Sequence, residues 1–452
     1  MENQKVKHLV VLVLENRSFD NMLGWLYPDR EDFDGLTGTE TNPLTAPDGS
    51  VKQVRVWNSS EIAAAAACLP DPDPGELFDD INMQIFGLHG RPGDRPKMSG
   101  FVDNYARHDP PPRDVREIMH CFTPEQVPVL SELARTFGAS DRWFAAAPCQ
   151  TWPNRLFLHT GTAGGRVDNF AIPVPFFLPT VFRTLWRHGR TWRVYFHDLP
   201  QTAALANVWH RLWRNFRLFD EFVADARGGR LPTYSFIEPR YYTSVVSGDP
   251  PNDQHPPHNM VYGEQLIAAT YNAVRAGPGW DRTLLVITYD EHGGCYDHAP
   301  PPAAVSPGPP FPDGFKFDRY GVRVPAVLVS PWIPAGSVVR PPEGGPPFDH
   351  TSVIATLHRA FGLGPEPTPR VQAAPDLLGA LSLLGPDNRG PESIDVSEIS
   401  AEVEELRYLR SLGHNNHQRR LRHPAALIPA LAARMAAHAH RKVGRFRGRI
   451  DG

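Results

Sequence analysis

The stretch His8–Leu14, HLVVLVL, is an unbroken apolar run of strand length that ends directly in Glu15-Asn16. A second run, TLLVITY at residues 283–289, ends in Asp290-Glu291-His292-Gly293-Gly294. Short continuous runs rich in β-branched residues are what a parallel sheet buried on both faces requires. Further runs at residues 193–197, 234–237 and 325–330 alternate with helical patterns at 127–137, 181–188, 209–226, 262–276 and 352–361. Alternation of this kind predicts βα units around a mostly parallel sheet, with helices as crossovers. In such a sheet ligands bind beyond the carboxyl ends of the strands, where both acidic clusters fall.

Glu15, Asn16, Asp290 and Glu291 would then converge from two strand ends as oxygen ligands, which is how a hard divalent cation is held. Acids after a strand also cap helices, but two such clusters in one chain point to a site. Gly293 and Gly294 let the backbone turn sharply just past the carboxylates. A third element, Thr151-Trp152-Pro153-Asn154-Arg155, places Pro in the first turn of a helix and Thr151 at or just before its N-cap. A hydroxyl there is a workable nucleophile for phosphorus, and the free N–H groups with Arg155 would hold the phosphoryl group. Histidines gather near these acids: His197, His255, His258, His292, His298 and His350. Together they match the donors and acid that phosphate-ester hydrolysis needs. Neither HExxH nor a Cys/His zinc pattern occurs, and Cys149 beside Thr151 has no base matched to it in sequence.

Composition bounds the rest. The 452 residues are 41% apolar and 21% charged with a net charge of −4, so no global attraction for nucleic acid exists. The 48 prolines predict stiff loops, foremost at residues 249–258 and 300–313. The N-terminal apolar run is too short for a secretory leader or a membrane span, and no stretch elsewhere is long enough to span. Four dispersed cysteines fit a reducing compartment, so a cytoplasmic location is expected, or a secreted one if a leader has been removed. Residues 366–400 read as a linker, and residues 419–449 hold nine basic residues and no acid. That gives an expected catalytic domain at 1–385 and a C-terminal linker and basic helical tail at 386–452, a solvated tail or a peripheral contact for anionic lipid.

Seven segments taken together carry a resemblance: ENRSFDNMLG at 15–24, TWPNRLFLHTGT at 151–162, YFHD at 195–198, DQHPPH at 253–258, TYDEHGGCYDHAPPP at 288–302, GVRVPAVLVSPWI at 321–333 and FDHTS at 348–352. They resemble the phosphoesterase family of bacterial and plant non-specific phospholipases C and related acid phosphatases. The resemblance implies an alkaline-phosphatase-like α/β fold, with Pro-rich loops over the active-site edge. It implies a divalent metal (Ca, Mg, Mn or Zn) on Glu15, Asn16, Asp290 and Glu291, and Thr151 as nucleophile. His197, His255, His258 and His292 would act around the phosphate and leaving group, with Asn154, Arg155, His298 and His350 touching substrate. The implied reaction is phospholipase C cleavage through a phosphothreonine; the alternatives are an acid-phosphatase-type monoesterase or a catalytically silent binding protein. A lipid enzyme needs an apolar approach, for which FAIPVPFFLP at 170–179 and PPFPDGFKF at 309–317 are the candidates.

Overall fold

The computed structural model describes residues 5–58, 66–169, 175–244 and 248–396. Its strands are β1 (His8–Leu14), β2 (Thr41–Thr45), β3 (Val51–Arg55), β4 (Gly138–Ala139), β5 (Trp192–Phe196), β6 (Phe216–Leu218), β7 (Tyr234–Glu238), β8 (Thr283–Tyr289), β9 (Ala326–Val329) and β10 (Ser337–Val338). The α-helices are α1 (Phe19–Leu23), α2 (Phe78–Phe86), α3 (Phe101–Tyr105), α4 (Pro128–Thr136), α5 (Thr151–Thr160), α6 (Val181–Arg187), α7 (Leu212–Asn215), α8 (Phe219–Arg227), α9 (Met260–Arg275), α10 (Thr351–Phe361) and α11 (Pro369–Ala373).

Eight strands form one sheet in the order β10-β4-β9-β8-β1-β7-β5-β6, and β2 with β3 forms a separate hairpin. The run from β8 through β6 is parallel, while β9 is antiparallel to both β8 and β4. The expected mostly parallel α/β sheet is therefore what the chain forms. All seven residues of β1 and all seven of β8 are buried, as their unbroken apolar sequence demands. One group of helices, α4, α9 and α8, packs side by side; α10, α5 and α6 form a second. Each buried Leu, Ile, Val or Phe in this core contributes roughly 1.5–3 kcal/mol.

The register positions the site. Leu14 lies opposite Tyr289 across the β1–β8 ladder, so Glu15 and Asp290 leave their strands side by side. Asn16 then turns with φ 54°, in the left-handed region that Asn tolerates better than most residues. Gly293 has φ 59°, and a Cβ there would lie 2.4 Å from the Asn16 carbonyl oxygen, so only glycine fits against the β1 turn.

Three expectations need correction. The helix expected over 209–226 is broken: Phe216–Leu218 pairs with β5 as the edge strand β6, and helix resumes only at Phe219. The segment 366–400 is not a free linker as far as residue 396. It contains α11, the Tyr271 hydroxyl donates to the Pro391 carbonyl, and Ile394 and Val396 pack on the main core. The folded unit therefore runs past the expected boundary at 385, whereas the basic tail at 419–449 lies outside the described residues. Finally, PPFPDGFKF is anchored rather than wholly open: Phe317 is buried on Phe157 with half-buried Phe311 and Phe315 against it, while Pro309, Pro310, Pro312, Asp313, Gly314 and Lys316 stay exposed. Of the other apolar candidate, residues 170–174 lie outside the described residues.

Candidate active site

Thr151 is the first residue of α5, with Gln150 in the cap position. It thus sits inside the helix rather than at the cap expected from sequence. Its hydroxyl points to Asn16 Oδ1 at 3.4 Å. The Asn16 amide nitrogen donates to Glu76 Oε2 at 2.5 Å and to His255 Nε2 at 3.0 Å, which fixes its oxygen towards Thr151. His255 Nδ1 donates to the Pro256 carbonyl, leaving Nε2 as the acceptor. The helix N-terminus is held by Asn169, whose Oδ1 accepts from the Trp152 N–H at 2.8 Å.

Glu15 and Asp290, one acid from each strand end, meet around Arg155. Its guanidinium lies 2.5 Å from Glu15 Oε1 and 3.3 Å from Asp290 Oδ2, all three groups being buried. Gln201 also donates to Glu15, and the Asn16 and Glu291 N–H groups donate to Asp290 Oδ1. Two acids that sequence reasoning missed complete the cluster. Glu76 accepts from Gln150 as well as Asn16, and Asp73 Oδ1 lies 3.7 Å from His255 Nδ1. Both stand in the Pro-rich loop DPDPGE, whose only sequence signal is three acids, Asp71, Asp73 and Glu76, in a segment with no helical or strand period.

Burial dominates the electrostatics. It raises the Glu15 carboxyl well above the usual range, reinforced by Asp290 and opposed by Arg155. It raises Glu76 to about 8, with Glu291 adding to the effect, and lifts Glu291 and Asp73 well above the carboxylate range, with acidic neighbours reinforcing both. So many acids in low dielectric favour protonation or a compensating cation. The donor chemistry suits a hard divalent ion, since carboxylate and amide oxygens predominate and buried Glu291 Oε1 has no hydrogen-bond partner among the described residues. Arg155, however, holds Glu15 and Asp290, and Glu15, Asp290 and Glu291 do not converge within 4.8 Å of one another.

The remaining expected site residues divide by what their polar atoms do. His258 is oriented by Asp253 Oδ1 at 2.6 Å from Nδ1. His292 faces Gln84 Oε1 at 2.8 Å, Gln84 in turn holds the Gly75 carbonyl, and burial lowers the His292 pKa to about 3. This histidine therefore braces the Asp73–Glu76 loop. His197 stacks on Phe219 at 4.5 Å with Nδ1 towards the Glu238 carbonyl.

Of the four residues expected to touch substrate, Asn154, His298 and His350 spend their polar atoms within the protein and Arg155 does so only in part. Asn154 spends its amide on the backbone of Ala147, Cys149 and Gln150, so it shapes the turn before α5. Arg155 commits Nε and Nη2 to Asp290 and Glu15, whereas its buried Nη1 has no hydrogen-bond partner among the described residues. His350 supports the Asp290 carbonyl from Nε2 at 2.5 Å and accepts from the Trp143 indole. His298 is clamped between Asp20 at 2.7 Å and Asp34 at 3.2 Å, beside Arg323. Asp20, Asp297 and His298 bring possible ligand atoms within 4.8 Å of one another, but the Arg323 guanidinium already bonds both carboxylates at 3.0 Å. That cluster is an ion-pair network.

Comparison with known proteins settles the family. A model of the Phosphoesterase family matches residues 6–364. The chain belongs to this family. Over 372 residues it is 40% identical to non-specific phospholipase C1 of Arabidopsis thaliana, covering 79% of this chain and 67% of that protein. Over 406 residues it is 38% identical to non-specific phospholipase C3 of the same plant, covering 86% and 76%. Phospholipase C B of Mycobacterium tuberculosis is 26% identical over 458 residues, covering 88% and 81%. Among solved structures, a protein in the alkaline phosphatase superfamily from Vibrio parahaemolyticus aligns with TM-score 0.33 and 12% identity over 56% of this chain and 63% of that one, too distant to carry an argument. As a member of the Phosphoesterase family with these relatives, the protein is a hydrolase of phosphoric ester bonds. No helix among the described residues is long and apolar enough to cross a membrane.

Proposed function

We propose that this hydrolase is a phospholipase C that cleaves glycerophospholipids between glycerol and phosphate through a covalent phosphothreonine at Thr151. The observation that carries the reading is the Thr151 hydroxyl, held at the start of α5 and 3.4 Å from Asn16 within the buried acidic cluster. The phospholipase C names of the family's members support the substrate class.

Glu15, Asn16, Asp290 and Glu291 would hold a divalent cation, which supplies the positive charge that favours a Thr151 alkoxide and the developing charge on phosphate. Thr151 gives up its hydroxyl proton as Oγ attacks phosphorus; the new P–O bond forms as the bond to diacylglycerol breaks, and the departing oxygen takes up one proton in exchange. Water then splits the phosphothreonine and releases the phosphorylated head group. His258, oriented through Nδ1 by Asp253, is the proton-exchanging group for both steps, while His255, with both ring nitrogens bonded, positions Asn16. Asn16 keeps its oxygen on the nucleophile because Glu76 and His255 occupy its two amide hydrogens.

The test is product analysis. Purified protein given phosphatidylcholine is expected to release diacylglycerol and phosphocholine. Inorganic phosphate from a soluble monoester, with the lipid untouched, would move the protein to the acid-phosphatase branch.

A further inference from the structure

The chain from Val181 to Arg217 carries seven arginines against a single acid, Asp198. That acid is taken up internally by the N–H groups of Leu199, Tyr241 and Tyr242. The segment folds into α6 and, after β5, the turn at 206–211 with α7, which pack together over the β5–β6 edge of the sheet. On this flank the Arg211 guanidinium lies 4.8 Å over the Trp186 ring, and His210 lies 5.4 Å from the same ring.

Large aromatics stand out of the same surface. Phe177, Trp186 and Trp213 are 79%, 46% and 64% exposed, and they are the three aromatics among the exposed large hydrophobics of the described residues. Arg193 pairs with Asp225 and Arg217 with Glu221, which leaves Arg183, Arg187, Arg211 and Arg214 without an acid partner among the described residues. Scattered single apolar residues need no explanation, but aromatics interleaved with these arginines do. Trp rings with neighbouring Arg suit the boundary between acyl chains and head groups, where the ring is half-wet and the cation meets lipid phosphate. The flank is also continuous with the site. Phe176 pairs with Leu205, and both line a small cleft of about 20 Å³ that reaches Trp152 and Arg155.

We propose that this α6–α7 flank is a membrane-docking surface that seats the protein on a bilayer carrying anionic phospholipid. The inference deepens the phospholipid reading of the site and rests on it for the reason docking is needed. A second copy of the chain is the poorer occupant, because two such faces would set arginine against arginine.

The test is co-sedimentation of the full chain with phosphatidylcholine vesicles, with and without phosphatidylglycerol, for the wild type, Arg187→Glu/Arg214→Glu and Trp213→Ala. Hydrolysis of monomeric dihexanoylphosphatidylcholine is followed in parallel. The wild type is expected to bind the phosphatidylglycerol vesicles, and the double charge reversal to bind them roughly tenfold more weakly or worse. Trp213→Ala should weaken binding to both vesicles, and monomer hydrolysis should stay unchanged in every variant. Variants that sediment like the wild type overturn the surface, as does a dimer in gel filtration that Trp213→Ala dissociates. Vesicle binding through these residues without any lipid hydrolysis keeps the surface and sinks the phospholipase reading; hydrolysis with unaltered vesicle binding does the reverse.

Discussion

Gly293→Ala is a change of one methyl group whose effect is set by the turn after β8. The new Cβ would sit 2.4 Å from the Asn16 carbonyl oxygen and 2.5 Å from Asn16 Cβ, far inside van der Waals contact and against backbone that no rotamer change can clear. At φ 59° the left-handed conformation costs alanine about 1 kcal/mol, and overpacking adds about 1–3 kcal/mol, so a loss of about 2–4 kcal/mol is expected. Asn16 must yield, and its side chain is what holds the Thr151 hydroxyl, so a shift of even ~1 Å should cost turnover about a hundredfold. Gly49→Ala is the control: φ there is 84°, nothing lies within 4 Å of the added Cβ, and only the backbone cost of about 1 kcal/mol applies. Urea denaturation with steady-state hydrolysis measures both quantities. If Gly293→Ala matches Gly49→Ala in stability and the wild type in turnover, the coupling of Asn16 to the nucleophile is wrong.

Other outcomes follow from the same geometry. Arg155→Met leaves Glu15 and Asp290 buried without their guanidinium and should lower stability by about 3–5 kcal/mol in thermal unfolding; a change within error would mean that the pair is not what balances them. Removing divalent ions with a chelator should abolish turnover and restoring them should recover it, whereas full activity in protein proven metal-free by elemental analysis contradicts the assigned ligands. For His298, burial lowers the pKa, but the hydrogen bonds to Asp20 and Asp34 outweigh it and raise the value from 6.5 to about 10. The folded state therefore holds a proton that the unfolded chain releases, so this stabilisation is complete below about pH 6.5 and drains away as pH rises through about 10. Unfolding curves of wild type and His298→Gln across that range should converge towards the alkaline end, and parallel curves would remove the imidazolium from the network.

What the sequence made legible was whatever a local pattern encodes. HLVVLVL and TLLVITY could only be strands buried on both faces, and the acids that end them fall together because a parallel ladder sets Leu14 beside Tyr289. Thr151 at a helix start was readable from Pro153, to within one residue. Phe216–Leu218 was not, since three residues carry no period and the strand exists only because β5 offers an edge. Asp73 and Glu76 were illegible for a different reason: their partners, His255 and Asn16, are far off in sequence, and their loop has no pattern of its own. Nearness to acids also says nothing of where a ring nitrogen points. His350 was read as touching substrate, yet it braces the Asp290 carbonyl, and His298 is consumed by Asp20 and Asp34.

The claim on which the rest depends is that Thr151 becomes covalently phosphorylated. Rapid acid quenching during turnover of phosphatidylcholine, followed by proteolysis and mass spectrometry, reads it directly. The account predicts one modified peptide containing residues 151–155, carrying the phosphorylated head group on Thr151 and absent from Thr151→Ala. A modified peptide that maps to Cys149 or to a histidine, or hydrolysis that continues at the wild-type rate in Thr151→Ala, would contradict it.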